Sequence, residues 1–186
     1  NFNLYHWFQR KNHHTSIDLD LFYTHFSNKI VPNYNTDATK IIYDNLEGYS
    51  ISKGASFQIN QSFSIPLNIS FGGTYLDVYT INEGEKNIEL FTPSFSGVFS
   101  IGYEWPLNKI KLDYTGRIMG PMYLPIYEEE LARAEISPWY TLQHLKVEKR
   151  FTNKISAYLG VRNLFNFTQE SPLVDPGSGS NTATNE

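Results

Sequence analysis

Few side chains in this sequence are of the kinds that perform chemistry, and their spacing limits what they can do. The absence of cysteine removes disulfide, thiolate-zinc and iron–sulfur chemistry. The five histidines are His6, His13, His14, His25 and His144. His13 and His14 are adjacent, and neighbouring residues on a strand point to opposite faces, so they cannot readily share a metal. Both read as solvated turn residues. Glu128, Glu129 and Glu130 form one acidic run without the spaced oxygen donors of a calcium site. A serine beside a histidine is a common nucleophilic engine, and Ser156 with His144 on the neighbouring strand is the candidate pair. Nothing marks Ser156 as an exposed, activated nucleophile. The expectation is no catalytic residue, no metal site and no cofactor: the chain reads as a non-enzyme.

Two further groups carry polar or binding chemistry. One is a set of charges alternating with apolar residues: Asp18, Asp20, Lys111, Asp113, Arg117 and Arg162. The other lies between the periodic segments: Tyr34, Tyr43, Phe91, Met122, Tyr123 and Tyr127, with Asn33, Asn35 and Asn45 alongside. Apolar rings with a few placed amides suit an organic ligand, and such contacts concentrate on loops held by a rigid scaffold. The same rings would equally pack loop against loop.

What must position both groups is a sheet. Ile17, Leu19, Leu21 and Tyr23 alternate with Asp18, Asp20, Phe22 and Thr24, and similar alternation runs from Leu67, Ile110 and Ile155. Period two with β-branched and aromatic enrichment means strands that bury one face. Eight strands are expected, at about 2–9, 15–30, 48–63, 67–80, 95–105, 109–119, 139–151 and 154–165. The 186 residues amount to one domain of chain. No apolar run approaches the roughly 20 residues of a spanning helix. A net charge of −4 offers no electrostatic footprint for nucleic acid.

The connections alternate in length. Short ones fall near 11–14, 64–66, 106–108 and 152–153, and long ones near 31–47, 81–94, 120–138 and beyond 166. One end with short turns and the other with long loops is the organisation of a transmembrane β-barrel, and strands of about 9–11 residues suffice to cross. Aromatic residues gather at both strand ends. Trp7, Phe8, Phe63, Tyr103, Trp105 and Phe151 lie toward the short turns; Tyr23, Phe26, Tyr49, Tyr79, Phe95, Trp139, Tyr140 and Phe165 lie toward the long loops. Two such bands match the girdles at the two membrane interfaces. Lys53 falls on the apolar face, close enough to one end to snorkel outward. Parity switches near Gln143 or His144 and beside Gly72 and Gly73 suggest β-bulges. The polar stretch 171–186 cannot be a membrane strand and reads as a flexible extracellular loop or linker. Long loops outside would run the first strand inward and the eighth outward, so at least one further strand is expected to close the barrel. An open edge in lipid leaves backbone groups unpaired.

Several stretches resemble one family. Gly160-Val-Arg-Asn-Leu-Phe-Asn166 is similar to the penultimate-strand motif of TonB-dependent outer-membrane receptors of the Bacteroidetes type, with Asp175-Pro176 following as in their last external loop. Asn45-Leu-Glu-Gly-Tyr49 followed by Gly54 resembles their strand-entry motif. Tyr114-Thr-Gly116, Gly120-Pro-Met-Tyr-Leu-Pro125 and Ser137-Pro-Trp-Tyr140 are similar to their late hairpin. The resemblance covers nearly all of residues 1–170.

It implies an all-β, antiparallel transmembrane β-barrel fragment of about eight strands, taken from a 22-stranded barrel around a plug domain. It further implies a bacterial outer-membrane location and uptake of a bulky nutrient such as a ferric siderophore or corrinoid. The partners it implies are outer-membrane lipid, the rest of the barrel, the plug, and the TonB complex through a missing N-terminal region. The charged set would face the plug, and the loop aromatics would face the ligand. Two other readings stand beside it: a passive porin or anchor barrel, and a soluble glycan-binding β-protein.

Overall fold

The computed structural model describes residues 1–11, 13–33, 42–82, 84–125 and 134–168. These form eleven strands: β1 (Phe2–Arg10), β2 (His13–Phe26), β3 (Ile30–Asn33), β4 (Ile42–Asn45), β5 (Gly48–Ser62), β6 (Leu67–Asn82), β7 (Glu85–Ile88), β8 (Phe95–Trp105), β9 (Ile110–Met119), β10 (Tyr140–Arg150) and β11 (Ser156–Val161). Eight lie side by side in the order β1-β2-β5-β6-β8-β9-β10-β11, each antiparallel to its neighbour. They correspond to the eight expected strands. β7 joins the edge of β6, and β3 pairs with β4 in a separate hairpin. Alternation over four residues is too short to separate strand from loop in sequence, and all three short strands fall within the expected long connections. The ends also move: the second strand stops at Phe26 and the last at Val161.

The short turns are tight. Lys11 and Lys109 adopt positive φ of 51°, and the Lys109 amide donates to the Pro106 carbonyl at 3.2 Å. All the long connections lie at the opposite end.

Register decides which residues share a face. Every ladder of the large sheet is unbroken, so parity passes across it unchanged. One row reads Leu19, Phe57, Gly73, Gly97, Ile118 and Thr141. The adjacent row on the other face reads Asp18, Gln58, Gly72, Val98, Arg117 and Leu142. The expected bulges are absent. β10 pairs with β9 continuously from Tyr140↔Met119 to Lys149↔Ile110, and β6 keeps one register past Gly72 and Gly73. Tyr140 and Leu142 therefore lie on the polar face. A cover for Tyr140 comes from the segment after β11: the Phe167 ring stacks on it at 4.8 Å, tilted by 7°. By the same parity Trp7 and Phe26 leave the girdles, whereas Tyr103 and Trp105 stay on the apolar face in edge contact at 4.5 Å.

A water-soluble sheet would bury its apolar face. Here the buried hydrophobic residues among those described are Leu46 and Ile51, both at the long-loop end. Leu4, Leu21, Tyr75 and Leu159 are exposed, Leu159 by 75%. Such a continuous apolar surface needs a non-aqueous neighbour. On the opposite, polar face glycine admits close approach. A Cβ on Gly54 would sit 2.2 Å from the Tyr75 carbonyl oxygen and 2.6 Å from the Phe22 ring.

Candidate functional site

The polar face is built from small and charged side chains at alternate positions of β2, β5, β6, β8 and β9. Toward the long loops it holds a hollow of about 490 Å³. Gly72, with Ser56, Thr74 and Ser96, forms its floor; Asp18 and Asp20 line one side, and Arg117 and Met119 the other. The Asn3 amide donates to both carboxylates, at 2.8 Å to Asp18 and 2.8 Å to Asp20. One neutral amide thus holds two like charges in place without neutralising them. Below, Asn60 donates to Ser16 at 3.1 Å and accepts from Ser70 at 2.7 Å, which ties β2, β5 and β6 on this face.

Nearer the short turns the charges neutralise one another. In register Glu104 lies opposite Lys111 across β8–β9, and Lys111 lies opposite Glu148 across β9–β10. Asp113 lies opposite Lys146. Lys111 reaches Asp113 at 2.9 Å, and Lys146 reaches Glu148 at 3.0 Å. A smaller hollow of about 210 Å³ is lined there by Lys111, Asp113 and Glu104. Alternating signs on adjacent strands make a grid that tolerates partial burial better than isolated charges would.

The six charged candidates therefore divide. Asp18, Asp20 and Arg117 share the larger hollow, Lys111 and Asp113 share the smaller one. Arg162 stands apart, exposed just beyond the end of β11. Asn3 and the small residues of the hollow's floor escape a reading based on charge. The available signal was the run of Ser, Gly, Gln and Asn at alternate positions of β5.

The loop candidates also divide. Tyr34 and Tyr127 lie outside the described residues. Phe91, Met122 and Tyr123 come together. The Phe91 amide donates to the Tyr123 carbonyl at 2.9 Å, and Phe91 holds a positive φ of 57°, uncommon for a bulky residue. Met122 exchanges bonds with Ser137: its amide donates to Oγ at 3.1 Å, and its carbonyl accepts the Ser137 amide at 2.9 Å. Ser94 donates through its amide to the Pro121 carbonyl at 3.1 Å. The segments before β8 and after β9 are thus one bonded assembly, and Tyr123 is 42% exposed on it. Tyr43 stands on β4, 65% exposed. That hairpin is tied to the same assembly, because Leu46 bonds back to the Lys29 carbonyl and Lys29 pairs with Glu89 at 3.1 Å.

The candidate catalytic pair is not a dyad. Ser156 pairs with Arg150 at one end of the β10–β11 ladder, and His144 lies beyond its other end. His144 Nδ1 accepts the Asn163 amide at 3.1 Å. No group of three potential metal ligands occurs among the described residues. The Arg-Asn-Leu-Phe-Asn stretch is structural: Asn163, at positive φ of 51°, clamps Phe167 with two bonds of 2.8 and 2.9 Å.

Comparison with known proteins follows this geometry. The family model described as TonB-dependent receptor-like β-barrel matches residues 3–164. Among solved structures, the chain is similar to the pyoverdine outer-membrane receptor FpvA of Pseudomonas aeruginosa bound to pyoverdine, with 21% identity over 85% of this chain and 24% of that one, at a TM-score of 0.63. It is similar to the ferric-catecholate import receptor Fiu of E. coli K12, with 17% identity, 90% and 23% coverage, and a TM-score of 0.64. A third is the FrpB iron transporter of Neisseria meningitidis, with 10% identity, 90% and 26% coverage, and a TM-score of 0.61. The chain spans about a quarter of the length of these neighbours. No curated protein matches it. An open sheet with one apolar and one polar face, short turns at one end and long loops at the other is the barrel wall this family builds, and the chain belongs to the TonB-dependent receptor β-barrel family of the outer membrane.

Proposed function

We propose that this chain is part of the barrel wall of a receptor that takes up a ferric siderophore, corrinoid or similarly bulky nutrient. The observation that carries the reading is the bonded loop assembly presenting Phe91, Met122 and Tyr123 at the long-loop end, where a rigidly held apolar surface suits a large organic ligand. The names of three structural neighbours, a receptor bound to pyoverdine, a ferric-catecholate import receptor and an iron transporter, support the nutrient class. The hollow between Asp18, Asp20 and Arg117 would receive groups of the plug, acidic walls meeting its bases and Arg117 meeting an acid. Energy would come from the TonB complex through segments outside this chain. The wall itself performs no covalent chemistry in this reading.

The test is ligand binding by the full-length receptor in detergent, followed by fluorescence quenching against a panel of ferric siderophores and corrinoids. One ligand is expected to bind, and Phe91→Ala with Tyr123→Ala should weaken it at least about tenfold, as loss of two well-packed rings does. If no ligand binds and small solutes leak freely through the receptor in liposomes, the passive-barrel reading replaces this one.

A further inference from the structure

The three internal connections at the long-loop end, 27–47, 83–94 and 120–139, differ in charge from the rest of the chain. They hold ten carboxylates against four basic residues, a net of −6, whereas the whole chain carries −4. The loops are therefore acidic and the remainder of the chain is slightly basic.

The structure sharpens this imbalance, because the described lysines at this end are already engaged. Lys29 meets Glu89 at 3.1 Å, Lys53 meets Asp77 at 3.3 Å, and the Lys86 ammonium sits 4.2 Å from the Tyr79 ring centroid. Four exposed carboxylates are left over: Asp44, Glu47, Glu85 and Glu135 meet no cation among the described residues. Two of them flank one residue of β6. Glu85 lies opposite Asn82 in register, and the Glu47 amide donates to Asn82 Oδ1 at 3.1 Å. A third borders the exposed rings of the loop assembly. The Glu135 carbonyl accepts the Leu124 amide at 2.9 Å, beside the bridge between Tyr123 and Ile136. Like charges held without counterions set up a negative field over the surface beside them. An exposed tyrosine face such as that of Tyr123 attracts the same kind of ligand, a cation.

We propose that the nutrient is an iron chelate of net positive charge, carrying an exposed ammonium, and that anionic chelates are turned away at the loops. This rests on the reading of the chain as receptor wall and adds the sign of the ligand's charge to it.

The probes are three ferric complexes: a linear trihydroxamate with a terminal ammonium, its N-acetylated neutral twin, and a trianionic tris-catecholate. Each is titrated into the full-length receptor in detergent and read by fluorescence quenching, at low and at high salt. The ammonium complex should bind about tenfold tighter than its twin at low salt, the scale of electrostatic focusing, and the catecholate should not bind. High salt should narrow the gap, since these charges are exposed. Glu47→Gln with Glu85→Gln and Glu135→Gln should narrow it to within about twofold at low salt. Equal affinity of the twins, an unchanged gap in the variant, or tighter binding of the catecholate overturns the proposal. So does failure of all three probes when another nutrient of the panel binds, which leaves the receptor reading intact. Free leakage of small solutes with no nutrient bound removes the receptor reading itself. If the variant fails to assemble, the salt series on the wild type decides.

Discussion

Asn163 shows how much one residue of a motif can decide. Its side chain both donates to and accepts from the Phe167 backbone, and its left-handed backbone is one that asparagine tolerates better than most residues. Asn163→Ala removes both bonds and adds strain, whereas Asn163→Gly removes the bonds and relaxes the backbone. Alanine should cost about 2 kcal/mol and glycine about 1 kcal/mol, from the usual net worth of hydrogen bonds, read as unfolding midpoints of the full-length receptor in detergent. Gly54 is a second such residue. The atom a side chain would strike is the Tyr75 carbonyl, which no rotamer change can move. Gly54→Ala should therefore cost about 1–3 kcal/mol through overpacking, measured by the same unfolding. Both residues stood in the sequence as parts of recurrent stretches, but neither stretch states which atom is approached.

Strands turn single residues into faces. Because the side-chain period is two and the ladders are continuous, Leu159 and Tyr158 on β11 point to opposite sides. Leu159→Arg places a charge on the lipid face and should cost about 2–4 kcal/mol near mid-membrane, blocking assembly in outer-membrane fractions. Tyr158→Arg, on the polar face, should assemble normally. Equal assembly of both variants would count against the face assignment. The eight long strands and their faces were legible from alternation at β2, β9 and β11. The apolar pair Tyr140 and Leu142 was misleading, because a bulge and an inward-facing apolar residue leave the same trace in sequence. Register and the stacked Phe167 ring separate them.

The larger hollow belongs to the whole molecule, since five strands contribute to it. Its floor at Gly72 is bare, and a Cβ there would meet neighbours only at 3.4 Å and beyond. Gly72→Phe should therefore be accommodated by the sheet and project a ring into the space between Asp18 and Arg117. In the full-length receptor, nutrient uptake should fall at least about tenfold while surface ligand binding is unchanged, if that space receives the plug. Radiolabelled uptake compared with binding on intact cells separates the two. Equal uptake would show that the hollow is spare volume.

The sequence by itself determined the strand periodicity, the alternation of short and long connections, and the charge and aromatic inventory, because each depends on residue type and on near neighbours along the chain. Those suffice for a membrane sheet with one polar face. Which charges meet was decided only by the tertiary structure. Asp18 and Arg117 share a hollow because register aligns their strands across a bare glycine, and Lys86 reaches the Tyr79 ring because β7 folds onto β6. Such pairings depend on distances between strands far apart in sequence, and no local pattern encodes them.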